Sequence, residues 1–350
     1  MTKKKVLCIY DVNIPLAVMK KVENLEKYGY EVQYELDETL ADDISQITER
    51  MHLYEQEGIN TAPRCQSLSE NCEDAEILVV HCAVVDKVIL DKSKNLKILA
   101  VLRGGLDNID IDEVEKRGIK LIHAPWRSAN AVADFTLGMM LAEDKNIARG
   151  HYYLKKGVWQ RDYVNDSYIR DLNKCTVGIV GFGNIGIRVA QRLKGFESDI
   201  IVHDPFIPDE KIESMGYTPV SKEELFKRSD IVTLHLRQTK DTLDFVDKAS
   251  FDLMKPQAYI VNTARSGIIH TESLIEALNE RKIGGAAIDV FDQEPLPEDS
   301  PFLKLKNVTL TPHIAGYSSD TVINSVEIVL DDLLLNEEGH RMENIYKKIN

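Results

Sequence analysis

At 350 residues the chain exceeds what a single hydrophobic core usually serves, and it predicts two domains. Hydrophobic residues at 43% and charged ones at 29%, with 19 glycines and 11 prolines, exclude a disordered chain and a collagen-like repeat. The 57 acids against 43 bases leave a net charge of -14, which repels nucleic-acid phosphates and anionic lipid surfaces and so speaks against nucleic acid as a partner.

Lys3, Lys4 and Lys5 precede an apolar run at 6–10 that ends at Asp11. The run is too short for the core of a signal peptide and reads as a first buried strand. No window reaches the ~18 uninterrupted apolar residues of a membrane helix, so a soluble protein with no membrane partner is expected. The five cysteines, Cys8, Cys65, Cys72, Cys82 and Cys175, show no CxxC spacing and no histidine at zinc-finger distance. They read as reduced thiols in a cytoplasm, with no metal site.

Further strands are predicted at 31–34, 77–81, 98–101 and 120–122, with a helical pattern over 42–57 marked by Ile44, Ile47, Met51 and Tyr54. The polar stretch 58–74 reads as an exposed loop. From Ala129 a long helix begins that is apolar nearly all round, which predicts burial between domains or subunits. A polar arm at 150–174 follows it. A second alternation then places six strands at 177–180, 200–203, 231–234, 259–262, 286–289 and 308–310, enough for a doubly wound dinucleotide domain. One more helix, 318–335, is expected to return to the first domain. The fold class is therefore α/β, with two Rossmann-like, doubly wound parallel-sheet domains. The first is discontinuous, at 1–122 and 315–350, and the second, at 123–314, is inserted into it.

Residues 181–186 read Gly-Phe-Gly-Asn-Ile-Gly, directly after one predicted strand and directly before a predicted helix. In that context the glycines have separate tasks: a tight turn at Gly181, close approach of a pyrophosphate at Gly183, and close helix–strand packing at Gly186. The helix N-terminus then offers free N–H groups to the phosphates. Eighteen residues beyond Gly186 stands Asp204, placed to bond the adenosine ribose and to repel a 2'-phosphate, which favours NAD over NADP.

Three later segments each put a reactive group just after a predicted strand: Arg265 in Asn-Thr-Ala-Arg, Glu294 in Asp-Val-Phe-Asp-Gln-Glu-Pro, and His313 in Thr-Pro-His-Ile-Ala-Gly. A guanidinium grips a carboxylate through two parallel bonds, and an imidazole exchanges a proton near neutrality. A carboxylate beside the imidazole orients it and favours its charged form. Together these are the parts needed to hold a 2-oxo acid, receive hydride on its carbonyl carbon and protonate the alkoxide. Singly, each also has a bland reading, as a helix-end ion pair, a solvated turn acid and a satisfied loop histidine.

These segments resemble those of the D-isomer-specific 2-hydroxy acid dehydrogenases, a family that includes phosphoglycerate dehydrogenases, and the likeness is strongest from Arg103 to Gly316. The resemblance implies an NAD-dependent oxidoreductase with Arg265, Glu294 and His313 as its catalytic set. It implies cofactor contacts at Gly181, Gly183, Asn184, Ile185, Gly186, Asp204, Leu236, Ala264 and Asp289, the last near the nicotinamide carboxamide. It also implies a homodimer built around the 129–150 helix and the arm after it.

Two departures bear on the substrate. Arg237 stands where relatives commonly show proline, in the loop expected beside the adenine. The turn containing Arg103, Gly104 and Gly105 resembles the carboxylate-binding loop of the family but begins with an arginine, and Trp126 and Arg127 are bulkier than the residues common there. If these face the cleft expected between the domains, extra cations suit an acid with a distal anionic or polyhydroxylated end, such as a phosphoglycerate or a sugar acid. The alternatives are a catalytically idle NAD-sensing protein or corepressor of the same fold, and a formate dehydrogenase, against which the acid at 294 argues.

Overall fold

The computed structural model describes residues 4–43, 46–47, 49–50, 53–54 and 58–347. The chain folds into two compact units, one of Met1–Ser128 with Ser318–Asn350, the other of Ala129–Tyr317.

The first unit carries a five-stranded sheet in the order β2-β1-β3-β4-β5, with β1 at Lys4–Tyr10, β2 at Tyr30–Leu36, β3 at Ala75–Val80, β4 at Ile98–Val101 and β5 at Lys120–His123. Neighbouring strands are parallel. Val6, Cys8, Ile77, Val79, Ile98 and Ala100 pack on one face, and Leu7, Ile9, Leu78, Val80, Leu99 and Val101 on the other. Both faces are covered, which is why these strands read as unbroken apolar runs rather than as alternation. The terminal helix Ser319–Glu337 lays Val326, Val329, Leu330 and Leu333 onto the first of those faces. Ser318 caps it, its hydroxyl accepting from the N–H of Asp320 at 3.2 Å.

The second unit holds a seven-stranded sheet in the order β12-β11-β10-β9-β6-β7-β8. Its strands are β6 Thr176–Val180, β7 Asp199–His203, β8 Thr218–Pro219, β9 Ile231–Leu234, β10 Tyr259–Asn262, β11 Gly285–Ile288 and β12 Val308–Leu310. The order reverses between β6 and β9, the place where open parallel sheets bind ligands beyond their carboxyl ends. β8 was not among the expected strands. It is two residues long, too short for a periodic pattern, and it sits at the sheet edge, where Pro219 removes no central ladder bond.

Two other local expectations need correction. The long helix ends at Asp144, and Asn146 adopts a left-handed conformation (φ 55) before a second helix, Ile147–Lys155. Asparagine takes that conformation at low cost, so the break left no proline or glycine to read. The arm expected from 150 thus begins as helix. The stretch expected as an exposed loop at 58–74 contains the short helix Gln66–Asn71, anchored by the fully buried Leu68 and capped by Cys65. Of the helix expected over 42–57, Ile44 and Met51 lie outside the described residues, while Tyr54 is buried and donates to the carbonyl of Cys82 at 2.6 Å. No helix among the described residues is long and apolar enough to cross a membrane. All five cysteines are free and buried.

Candidate active site

The second unit builds its site at the carboxyl ends of β6, β7, β9, β10, β11 and β12. After β6 the chain turns at Gly181 (φ 92), where a Cβ would stand 2.7 Å from the backbone of His235. A Cβ at Gly186 would stand 2.1 Å from the Gly181 carbonyl, so only glycine lets the helix Asn184–Leu193 approach this closely. Gly183 is the N-cap of that helix and makes no side-chain cap, and a Cβ there would point into open space. The uncapped N-terminus and the open space beside it fit a pyrophosphate.

Asp204 follows β7 and is gripped by backbone. Its Oδ2 accepts from Phe182 N at 2.6 Å, and its Oδ1 from Phe206 N at 2.8 Å and Ile207 N at 3.0 Å. The acid is thereby tied to the glycine turn itself. After β9, burial pushes the His235 imidazole down to about 3, so the ring is neutral. Its Nε2 meets Thr233 Oγ1 at 2.9 Å, and its Nδ1 is buried with no partner. Leu236 beside it is buried.

At the end of β10, Asn262 shapes the next turn: its Oδ1 accepts from Ala264 N at 3.0 Å and its Nδ2 donates to the Arg265 carbonyl at 2.9 Å. The exposed Arg265 guanidinium donates to the Ala264 carbonyl at 2.7 Å. His313 lies in a left-handed conformation (φ 52) that a bulky residue holds only when its surroundings impose it. Asp289, fully buried just after β11, imposes it. Its Oδ1 accepts from Thr311 Oγ1 at 2.6 Å and Ile314 N at 3.0 Å, and its Oδ2 from Ala315 N at 2.9 Å. The loop is pinned on both sides of the histidine. His313 Nδ1 then meets Glu294 Oε2 at 2.7 Å, while Glu294 Oε1 accepts from Phe291 N at 2.9 Å. The imidazole is oriented from one nitrogen, and its side chain is 46% exposed, which leaves Nε2 to exchange a proton with a substrate.

Of the three reactive groups expected from the sequence, Glu294 and His313 are brought together. Arg265 sits on the loop after β10, its guanidinium donating to the Ala264 carbonyl. Asp289, expected at the cofactor, has both carboxylate oxygens engaged by the His313 loop; only the long-range bonds reveal that grip.

The first unit gathers a second set of charged groups. Arg103 is 5% exposed; its Nη2 lies 3.7 Å from Asp107 Oδ2, and its Nη1 is buried with no partner. The turn above it is exposed at Gly104 and Gly105. Arg127 donates to Ser325 Oγ at 2.9 Å, and burial, then the nearby Arg103, pushes its pKa down to about 10. Trp126 is 47% exposed and takes a positive φ of 66. Sequence reasoning passed over Asp11, His81 and Cys82, all buried, which join this set: His81 Nδ1 meets Asp11 Oδ2 at 2.7 Å. The available signal was a polar residue immediately after each of two apolar strands.

Residues 137–315 match the family model for the NAD-binding domain of the D-isomer specific 2-hydroxyacid dehydrogenases. The chain is 38% identical over 282 residues to a D-3-phosphoglycerate dehydrogenase of Methanocaldococcus jannaschii, a match covering 80% of this chain and 53% of that protein. It therefore spans about half the length of that relative. It is 34% identical to a glyoxylate reductase of Thermofilum pendens, with 83% of this chain and 87% of that protein covered. Among solved structures, that of a D-2-hydroxyisocaproate dehydrogenase superposes with a TM-score of 0.75 at 25% identity, covering 96% of this chain and 98% of that one. The cofactor of the matched domain is NAD, in keeping with the uncapped glycine turn and the acid after β7. The chain belongs to the D-isomer specific 2-hydroxyacid dehydrogenase family.

Proposed function

We propose that the protein is an NAD-dependent oxidoreductase that interconverts a D-2-hydroxy acid and its 2-oxo acid. The observation that carries this reading is the 2.7 Å pair of Glu294 and His313, on a loop that Asp289 pins in place. An idle NAD sensor has no need of such a pair.

In this reading the turn Gly181–Gly186 holds the pyrophosphate and Asp204 the adenosine ribose, with Leu236, Ala264 and Asp289 lining the rest of the cofactor site. Bound there, NADH supplies the hydride. Arg265 binds the carboxylate of the oxo acid and keeps its carbonyl in line. His313 gives its Nε2 proton to the carbonyl oxygen as hydride arrives, and Glu294 holds the ring in place and balances its charge. In the oxidative direction the same nitrogen takes the hydroxyl proton.

Gly104 and Gly105 contribute backbone N–H groups to the substrate, and Arg103, Trp126 and Arg127 read its far end. That end is anionic or polyhydroxylated, as in a phosphoglycerate or a sugar acid. The working form is a homodimer in a reducing cytoplasm. What supports the dimer is the apolar surface on and after the helix Ile147–Lys155, with Leu154 58% and Trp159 82% exposed. The experiment is to follow NADH oxidation at 340 nm over glyoxylate, hydroxypyruvate, 3-phosphohydroxypyruvate and oxidised sugar acids. Turnover of at least one is expected; inactivity on all returns the chain to the sensor reading.

A further inference from the structure

After the helix Ser319–Glu337 the chain returns along the edge of the first sheet, beside β5. Met342 is 4% exposed and packs in the same core as Val326 and Val329. Asp332, fully buried on the helix, grips the returning segment with both carboxylate oxygens. Its Oδ1 accepts from Glu343 N at 2.5 Å and its Oδ2 from Asn344 N at 3.0 Å. Ile345 then bridges Ile122 in antiparallel sense, flanked by a bond from His123 N to the Asn344 carbonyl at 3.2 Å and one from Tyr346 N to the Leu121 carbonyl at 2.8 Å. The backbone groups that β5 would offer as an open edge are thereby taken up.

The segment also delivers an aromatic side chain to the end of β5. The Tyr346 ring meets the His123 ring in an edge contact, with centroids 6.1 Å apart and planes at 80°. His123 Nδ1 in turn lies 3.0 Å from the Gly104 carbonyl oxygen. A carbonyl only accepts, so Nδ1 carries the proton and donates. Gly104 and Gly105 are both exposed, and two consecutive glycines leave the peptide between them free to rotate at little cost. That peptide is trans, so its carbonyl and its N–H point in opposite directions. Holding the Gly104 carbonyl toward His123 therefore aims the Gly105 N–H away from it. The residue before the turn is fixed separately, by Ala124 N donating to the Arg103 carbonyl at 2.9 Å.

We propose that the returning segment at 342–346 is a strap that sets this turn, with Tyr346 and His123 as positioning residues that keep the Gly105 N–H directed at the substrate. Tyr346 limits rotation of the His123 ring, and His123 fixes the glycine peptide through one hydrogen bond. Asp332 acts one step further back, by holding the strap against the helix. The proposal rests on the dehydrogenase reading above, in which the glycine N–H groups touch the substrate.

The test uses the full-length wild type, Tyr346→Ala, Tyr346→Phe and His123→Phe, the last keeping a ring but no donor. Hydrogen–deuterium exchange is followed over 103–108, together with steady-state kinetics on the best oxo acid and thermal unfolding. Tyr346→Ala and His123→Phe are expected to speed exchange over 103–108 and to raise the KM for the oxo acid about fivefold or more, with the KM for NADH within about twofold. Tyr346→Phe keeps the ring and is expected to match the wild type. Exchange and KM unchanged in either Tyr346→Ala or His123→Phe overturns the proposal, and because the two act at different links, failure of one to fold leaves the other decisive. A lowered Tm with the oxo-acid KM unchanged also overturns it, since the segment is then edge cover alone. So does a parallel rise in the KM for NADH. If no oxo acid turns over, yet exchange over 103–108 quickens in Tyr346→Ala and His123→Phe and not in Tyr346→Phe, the dehydrogenase reading has failed and the strap has not.

Discussion

Asp289→Asn separates two roles for the same carboxylate. In the folded protein it accepts three hydrogen bonds, two of them from backbone N–H groups on the C-terminal side of His313 and one from Thr311 on the other. An amide of the same shape keeps one acceptor oxygen, so its NH2 must face either Ala315 N or the Ile314 and Thr311 donors. One charge-assisted bond is lost outright and the others lose their charge, a cost of about 2 to 4 kcal/mol. For a unit of this size that lowers Tm by roughly 5 to 15 °C. The released loop no longer holds His313 in its left-handed conformation, and a misplacement near 1 Å costs about 10²-fold in turnover. The assay pairs thermal unfolding with steady-state NADH oxidation on the best oxo acid. Loop anchoring predicts a lowered Tm and a lowered kcat with the KM for NADH changed by less than about threefold, ~0.65 kcal/mol. An unchanged Tm with a strongly raised KM for NADH refutes it and returns Asp289 to a purely cofactor-binding role.

Three other outcomes follow from the same geometry. His313→Gln lowers turnover by ~10²-fold or more, the scale of general acid catalysis, and Glu294→Gln lowers kcat while sparing NADH binding; normal turnover in both variants refutes the pair. Asp204→Ala narrows the preference for NADH over NADPH, measured as the ratio of kcat/KM values, because the carboxylate that repels a 2'-phosphate is gone; a wild type that uses both equally contradicts the assignment. His81 has a folded pKa of about 9 against 6.5 unfolded, so the folded state holds the extra proton between those values and stability falls as pH rises from 6.5 through 9. The loss is on the order of 3 kcal/mol, and urea unfolding at pH 6 and pH 9.5 should show it in the wild type and much less in Asp11→Asn. Parallel curves for the two proteins exclude the Asp11–His81 pair as the cause.

Much of this molecule was written in local patterns. The buried parallel strands are unbroken apolar runs, and 98–101, 231–234, 259–262 and 308–310 are strands over those same residues. The glycine turn was legible because each glycine answers a local steric demand, and Glu294 and His313 because both follow strands that end in short, recognisable segments. Other features depend on residues far apart in the chain meeting in space. Asp11 and His81 are 70 residues apart and become partners only because β1 and β3 are neighbours in the sheet. Asp289 was expected only beside the nicotinamide carboxamide, and its grip on the His313 loop exists because Ile314 and Ala315, 25 and 26 residues on, donate to it. The break at Asn146, the two-residue β8 and the short helix Gln66–Asn71 also escaped, since none is long enough to carry a period. Periodicity and steric demand act over a few residues and are visible in sequence; charge pairing and loop anchoring act through space, and only the folded chain decides them.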